Sequence, residues 1–482
     1  MLTNALVFGI PLATVVGALL VVRYLQASGG GGLEEWAVGG RRFGAVIFWF
    51  VNAGEIYTTF ALLGITGYAW AYGAPAYISL ASVSLSFAIG YLLMPRIWIA
   101  GKENGFLTQA DFFAHRYGSS ALGVAVAIAG IAALLMYVQI QMTALTLVLR
   151  LTLPEGPAPL EAVAFAAAMM IAFVFFAGLR SAAIAASVKD VLMLVLVVAL
   201  GFTVADKVGA SSLLEVFERV ELAHPGIGDF PGRAPEAGLT VTWFITASLS
   251  VAIGTWVFPH MFQLCFSAKD VDAVRRNAIW QPLYSLSYFF IILIGFAALL
   301  AGTQPPDGNL NGVLLQFVVE RYPPWMIGLL GGTVILLALV PGSILLLACG
   351  SIFSRNVLGV LRPGLGEEGA LWASRAAVVG FALVAAWLTL DNDSSLVAIG
   401  LQAYSAVGML APGVILGLAW SRTSAAGIVA GMIAGYSVLL IAAARAGVES
   451  ALPGWDIGFV AMAVNAAVVV AVSSMTRSGP RL

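Results

Sequence analysis

Lys189 and Asp190 stand side by side inside an apolar run from about 181 to 206. Arg180 marks one end of that run, and at 1.5 Å per residue Lys189 lies ~13 Å beyond it along a helix. An ionisable group at such a depth costs at least ~2.5–3.5 kcal/mol on insertion scales unless it meets a partner or a cavity. A buried ammonium beside a carboxylate can tie two helices together, stand in for a cation, or exchange a proton. A lysine snorkelling to the inner interface belongs with the structural reading. Glu55 is a second ionisable group in apolar surroundings, within Asn52-Ala53-Gly54-Glu55. It can accept a proton, pair with Lys189, or cap the amides of a following half-helix. His260, directly after Pro259, reads as a hinge or interface residue rather than a proton carrier.

The elements that hold these groups are membrane helices. The chain is 61% hydrophobic and 10% charged, against ~25% charged in soluble domains. Apolar runs cover about 2–22, 43–72, 75–100, 120–150, 159–179, 181–206, 241–265, 278–303, 325–358, 370–390, 395–420, 424–445 and 457–475. A hydrocarbon core of ~30 Å needs ~20 apolar helical residues, and only helices satisfy their own backbone groups there. The expectation is an all-α polytopic membrane protein of about thirteen transmembrane helices. Leu2–Val22 has no small-residue cleavage site and is expected to stay as a first helix rather than leave as a signal peptide. Ser28–Gly32 reads as a flexible linker. A net charge of −1 argues against a nucleic-acid partner, and Cys265 and Cys349 read as inert buried thiols.

Alternate connections, beginning with 23–42, collect most of the Lys and Arg, among them Arg41, Arg42, Arg96, Lys102, Arg275, Arg355, Arg477 and Arg481. The positive-inside rule then puts the N-terminus outside and the C-terminus in the cytoplasm. Two runs are interrupted: 43–72 at Asn52–Glu55, and 241–265 at Gly254 and Pro259-His260. Each opens a set of five helices, 43–206 and 241–420, and an odd number per set inverts the second copy. Paired broken helices in inverted repeats point to a secondary transporter with its sites near the midplane. The expected organisation is an extra helix and linker at 1–42, two repeats separated by a Pro-containing outer loop at 207–240, and two extra helices at 421–482.

Several motifs now carry a family resemblance. They are Gly39-Gly40-Arg41, Leu63-Gly64 with Gly67, Asp111-Phe112-Phe113-Ala114-His115-Arg116-Tyr117-Gly118, Pro259-His260 ahead of Ala268-Lys269-Asp270, Pro323-Pro324-Trp325, and Gly427 with Gly431 and Gly435. Together they resemble the sodium:solute symporter family. Gly54-Glu55-Ile56-Tyr57-Thr58-Thr59 and Val188-Lys189-Asp190 are similar to its monocarboxylate (lactate, pyruvate) permease branch. The resemblance implies a leucine-transporter-like 5+5 inverted-repeat fold. It also implies a sodium site built from carbonyls at Gly54 and Tyr57 and two hydroxyls on the eighth core helix. The hydroxyl positions fall at Val340-Pro341, which offer no side-chain oxygen. Ser343, a candidate cation-coupling residue, lies about 200° round the helix from Pro341 and can replace it only where the proline bends the helix locally. Asp190 matches a carboxylate that family members use near a sodium route, and Lys189 stands where a hydroxyl is usual. The expectation is that the Lys189 ammonium occupies the place of the sodium.

For an anionic substrate, half-helix amides at the two breaks supply positive dipole ends. Thr58, Thr59 and Thr255 are candidate hydroxyl donors, with Tyr57 and Trp256 as walls. Gln139, Gln141, Gln402, Tyr404 and Ser405 are polar groups that serve either as ligands or as interhelical hydrogen-bonding residues. Gly427–Gly431 reads as a small-residue packing face. The sequence contains no Cys/His cluster for a metal, no phosphate-cradling loop and no embedded catalytic triad, so neither an enzyme nor a cofactor is expected. The resulting expectation is a bacterial inner-membrane cation symporter for a small organic acid, coupled to H+ in preference to Na+. The rivals are a sodium symporter for another solute such as an amino acid, and an uncoupled facilitator.

Overall fold

The computed structural model describes residues 2–25, 32–152, 157–390 and 394–476. Residues 28–31 of the expected linker, and Arg477 and Arg481, lie outside the described residues. The chain runs through α1 (Leu2–Leu25), α2 (Leu33–Val38), α3 (Ala45–Ile56), a π-helical turn, α4 (Ile65–Tyr72), α5 (Ile78–Asn104), α6 (Gln109–Tyr117) and α7 (Ser120–Thr152). It continues with α8 (Pro159–Lys207), α9 (Leu213–Ala223), α10 (Val241–Thr255), α11 (Pro259–Ser267), α12 (Val271–Trp280), α13 (Pro282–Ser285) and α14 (Ser287–Leu300). Then come α15 (Val313–Arg321), α16 (Pro324–Ile352), α17 (Gly359–Leu361), α18 (Glu367–Leu390), α19 (Leu396–Gly408), α20 (Ala411–Ala419), α21 (Ala425–Leu440), α22 (Ala442–Ala451) and α23 (Ile457–Met475). Among the described residues, seven helical stretches are long and apolar enough to cross a membrane alone, and four bent pairs raise the number to eleven. Shorter apolar helices lie within α1 and the first part of α8.

Both expected interruptions are present. The α3 and α4 segments meet at 47°, and α10 and α11 at 48°. The first break falls at Tyr57–Thr59, one turn later than the Asn52–Glu55 stretch, which remains helical. Three residues of weak helix propensity, Tyr57, Thr58 and Thr59, follow one another there. At the second break Pro259 has no N–H for the carbonyl of Thr255, which ends α10. A third bend, 41° between α19 and α20, was not expected inside 395–420. Its cause is similar, because Pro412 withholds an N–H from the carbonyl of Gly408.

Three other boundaries differ from expectation. The runs 159–179 and 181–206 lie in one helical stretch of 49 residues, within which the apolar parts are Pro159–Phe175 and Leu179–Lys207. Met170 packs on Gly342 in the middle of α16, Arg180 approaches Glu35 (3.9 Å), and Lys189 reaches Gly54. Residues 425–451 fold into α21 and α22 at 83°, so the expected 424–445 span ends at Leu440. The 207–240 segment is not all loop: α9 lies within it and buries Val216 and Val220.

The bundle centres on α16, 94% of whose most apolar window is buried inside the protein. At one end of the bundle the two broken helices are joined through the backbone. Phe43 N–H donates to Ser267 O (3.0 Å) and Lys269 N–H to Phe43 O (2.9 Å), which ties the start of α3 to the end of α11. Gly427, Gly431 and Gly435 form the expected packing face, with Ser473, Asn465 and Val469 of α23 pressed against the first two. A side chain at Gly431 would overlap Asn465 and Val469. Overpacking of that kind costs ~1–3 kcal/mol. Gly431→Leu is therefore expected to lower the unfolding temperature of the purified protein in detergent. Gly380→Leu, where an added Cβ meets nothing within 4 Å, is expected to leave it unchanged.

Candidate ion and substrate site

Ending α3 at Tyr57 (φ −99°, ψ 79°) frees backbone oxygens that a continuous helix would use. Ala61 N–H, the partner Tyr57 O would have had, donates instead to Thr58 O (3.0 Å). The Lys189 ammonium fills the gap. Its Nζ donates to Gly54 O (3.0 Å), to Tyr57 O (3.3 Å) and to Asp190 Oδ1 (2.5 Å). Neither side chain of this ion pair is exposed at all. The approach at Gly54 is close: an added Cβ would stand 3.2 Å from Ala186 Cβ and 3.3 Å from Lys189 Nζ, so a side chain there would push α8 or the lysine back by a few tenths of an ångström. On the far side the Tyr284 ring lies 4.0 Å from that of Tyr57, with Tyr288 at 5.3 Å.

Glu55 points elsewhere. Its carboxylate is 3.6 Å from His260 Nε2, and neither oxygen has a hydrogen-bond partner among the described residues. It makes no ion pair with Lys189 and caps no amide of the following segment, in contrast to two of the sequence expectations. His260 is buried, and its Nδ1 is also unpaired. Around this pair Tyr137 stacks on Phe258 (5.3 Å), Tyr404 meets Phe258 edge-on (5.2 Å), and Tyr137 Oη donates to Glu55 O (3.3 Å). Two charge centres therefore occupy the first break: a neutralised Lys189–Asp190 pair and an unpaired acid beside an imidazole.

Gly54, Tyr57, Lys189 and Asp190 thus form one cluster. Thr58 and Thr59 are buried beside it, and Thr59 Oγ1 donates to Gln141 Oε1 (2.8 Å). At the second break Thr255 Oγ1 donates to Val251 O (2.8 Å) and Trp256 Nε1 to Ser86 O (2.5 Å). Three expectations fail. Ser343 Oγ turns back to Val340 O (2.6 Å) and makes no contact with Lys189, because the hydroxyl satisfies its own helix. Gln139 donates to Leu388 O on α18 (2.8 Å), away from the break, while Gln141 faces it. Gln402 is exposed and lines a lateral groove with Tyr436 and Arg445, two residues along α19 from the inward-facing Tyr404. Tyr284 and Tyr288 went unnoticed. Their signal was two tyrosines at i, i+4 in an otherwise apolar run.

Membrane-spanning helices, two of them broken and meeting around a sealed charged cluster, define a secondary transporter of the leucine-transporter type. Residues 36–435 match the Sodium:solute symporter family, and the chain belongs to it. A Bacillus subtilis (strain 168) protein named Uncharacterized symporter YhjB is 34% identical over 459 residues, covering 92% of each chain. The Monocarboxylate transport permease protein of Rhizobium johnstonii is 26% identical over 437 residues, covering 89% of this chain and 86% of its own. A solved Na+-coupled sialic acid symporter shares the fold, with a TM-score of 0.79 at 15% identity, covering 100% of this chain and 99% of that one.

Removing one member of a buried ion pair costs ~3–5 kcal/mol. Lys189→Met strands Asp190 and two carbonyls, so its unfolding temperature in detergent is expected to fall well below that of the wild type. Adding Asp190→Leu is expected to recover part of the loss. A single variant as stable as the wild type would show that the cluster contributes nothing to folding.

Proposed function

We propose that this symporter imports a small monocarboxylate across the bacterial plasma membrane together with a proton, with Lys189 as a fixed substitute for a sodium ion. The observation that carries the reading is the ammonium bonded to Gly54 O and Tyr57 O. These are the two carbonyls that the family resemblance assigns to sodium. A side chain holding that place brings the positive charge with the protein rather than from solution. The hydroxyl positions expected of an ion site fit this reading, since Val340 and Pro341 carry no side-chain oxygen and the Ser343 hydroxyl is spent on Val340 O.

Glu55 supplies the proton site in this scheme. Lys189 and Asp190 cancel each other, so an ionised Glu55 would leave a net negative charge where an anionic substrate must sit. Protonated, it neighbours the substrate without repulsion. The carboxyl lies buried, 3.6 Å from His260 Nε2 and without a hydrogen bond among the described residues. The small cavity beside the break, between Ile56, Phe60, Ser82, Val251, Tyr288 and Tyr404, is mostly apolar with a few hydroxyls. In this closed state the cavity holds no more than a water or two; a lining of that kind, once opened, suits a short acid better than a sugar. The name of the Rhizobium relative points the same way. The orientation adopted is N-terminus outside and C-terminus in the cytoplasm.

Uptake of labelled lactate and pyruvate into proteoliposomes, under imposed proton or sodium gradients, tests the reading. An inward proton gradient is expected to drive accumulation and a sodium gradient to do nothing. Glu55→Gln is expected to keep lactate exchange and lose proton-driven accumulation. Accumulation driven by sodium alone and intact in Lys189→Ala would reject the fixed-charge idea. Saturable uptake of a sugar without any monocarboxylate would reject the substrate class.

A further inference from the structure

The lateral groove that Gln402 lines has a volume of about 1130 Å³, room for far more than water. Ala125, Ala129 and Ala132 of α7 form its floor, and α19 and α21 its walls. Ile128 and Ile433 stand exposed on its apolar lining. The lining runs from Ala125 to Met136 on α7 and from Val429 to Leu440 on α21, ~16 Å along each helix at 1.5 Å per residue. That is about half of a ~30 Å hydrocarbon core, the depth of one leaflet.

One end of the groove is polar. There α21 gives way to α22 at 83°, and α22 buries none of its residues. A helix turned away from a spanning helix by so much lies near the membrane plane. Trp455 is exposed beside Asp456 at the same end, and tryptophan favours the headgroup level. Arg445 of α22 lines this end, and its Nε donates to Glu449 Oε1 (2.9 Å) one turn further on. Both side chains are about half exposed. An exposed pair of this spacing holds little energy, so both charges can turn to an incoming headgroup. Asp456 is already used as a helix cap, its Oδ1 accepting from Phe459 N–H (2.8 Å).

The groove also reaches the transport site. Leu401 lines both the groove and the small cavity beside the first break. Tyr404, three residues on, belongs to the aromatic shell around Glu55 and His260. We propose that the groove binds one phospholipid with a zwitterionic, amine-bearing headgroup. An acyl chain lies over Ala125, Ala129 and Ala132, the phosphate accepts from Arg445, and the ammonium donates to Glu449. The adjacent plus and minus charges at the rim match the two charges of that headgroup. The chain backs α19 and so braces Leu401 and Tyr404 from behind. Such a site is independent of which solute or ion is carried.

The test titrates the delipidated full-length protein in detergent with phosphatidylethanolamine, phosphatidylglycerol or phosphatidylcholine, and reads binding by native mass spectrometry. One phosphatidylethanolamine per chain is expected. The other two lipids, which lack an N–H donor for Glu449, are expected to bind about tenfold more weakly, the worth of a hydrogen bond to a charged group. Ala132→Trp fills the groove and is expected to abolish binding. Arg445→Gln, on the exposed rim, is expected to weaken it about tenfold and serves if the tryptophan variant does not fold. Val195→Trp, at an exposed position of α8, is expected to bind as the wild type does. Amides of 396–408 are expected to exchange more slowly with deuterium when the lipid is added to the wild type, and to be unaffected in Ala132→Trp. Equal binding of all three lipids, or an equal loss in Val195→Trp, would overturn the site by showing an unspecific lipid coat. A lipid-free dimer that Ala132→Trp dissociates would also overturn it, by giving the groove to a second copy of the chain.

Discussion

A helix interrupted inside a bilayer exposes carbonyl oxygens that no water can satisfy. The architecture around α3 follows from that constraint. The free oxygens of Gly54 and Tyr57 require positive charge, and the protein provides it covalently, at the end of a lysine side chain anchored on α8. The ammonium then needs a counter-charge, which Asp190 provides on the next residue. The close approach of α8 is eased by the absence of a side chain at Gly54. Each of these residues is explained by the one before it.

The separation of the two charge centres has a comparable logic. Had Glu55 paired with Lys189, the site would hold one cation between two acids. Instead Asp190 neutralises the lysine, and Glu55 is left facing His260 within an aromatic shell of Tyr137, Phe258 and Tyr404. The break thus keeps a permanently compensated pair on one side and a single free acid on the other.

Much of this was legible in the sequence. The helical membrane bundle follows from run length and composition, and the second interruption from Pro259, whereas the first was placed one turn early, at Asn52–Glu55 instead of Tyr57–Thr59. The Lys189 placement followed from depth and from the missing oxygens at Val340 and Pro341. What could not be read was rotational phase and partner choice. Gln139 and Gln141 sit on one helix two residues apart, and only the packing of α18 decides which of them looks away. Gln402 and Tyr404 differ in the same way. The bend at Pro412 was passed over because a proline near the end of an apolar run also marks an ordinary terminus. Nothing local in Glu55 says that it will turn to His260, more than two hundred residues away, rather than to Lys189.

The backbone link between Phe43 and the segment from Ser267 to Lys269 has a mechanical consequence. Main-chain hydrogen bonds in both directions couple α3 and α11, one half of each broken helix, into a single lever. A swing of one carries the other, so the passage on that side is fitted with one door hung on two hinges, at Tyr57–Thr59 and at Trp256–Phe258, rather than with two independent leaves.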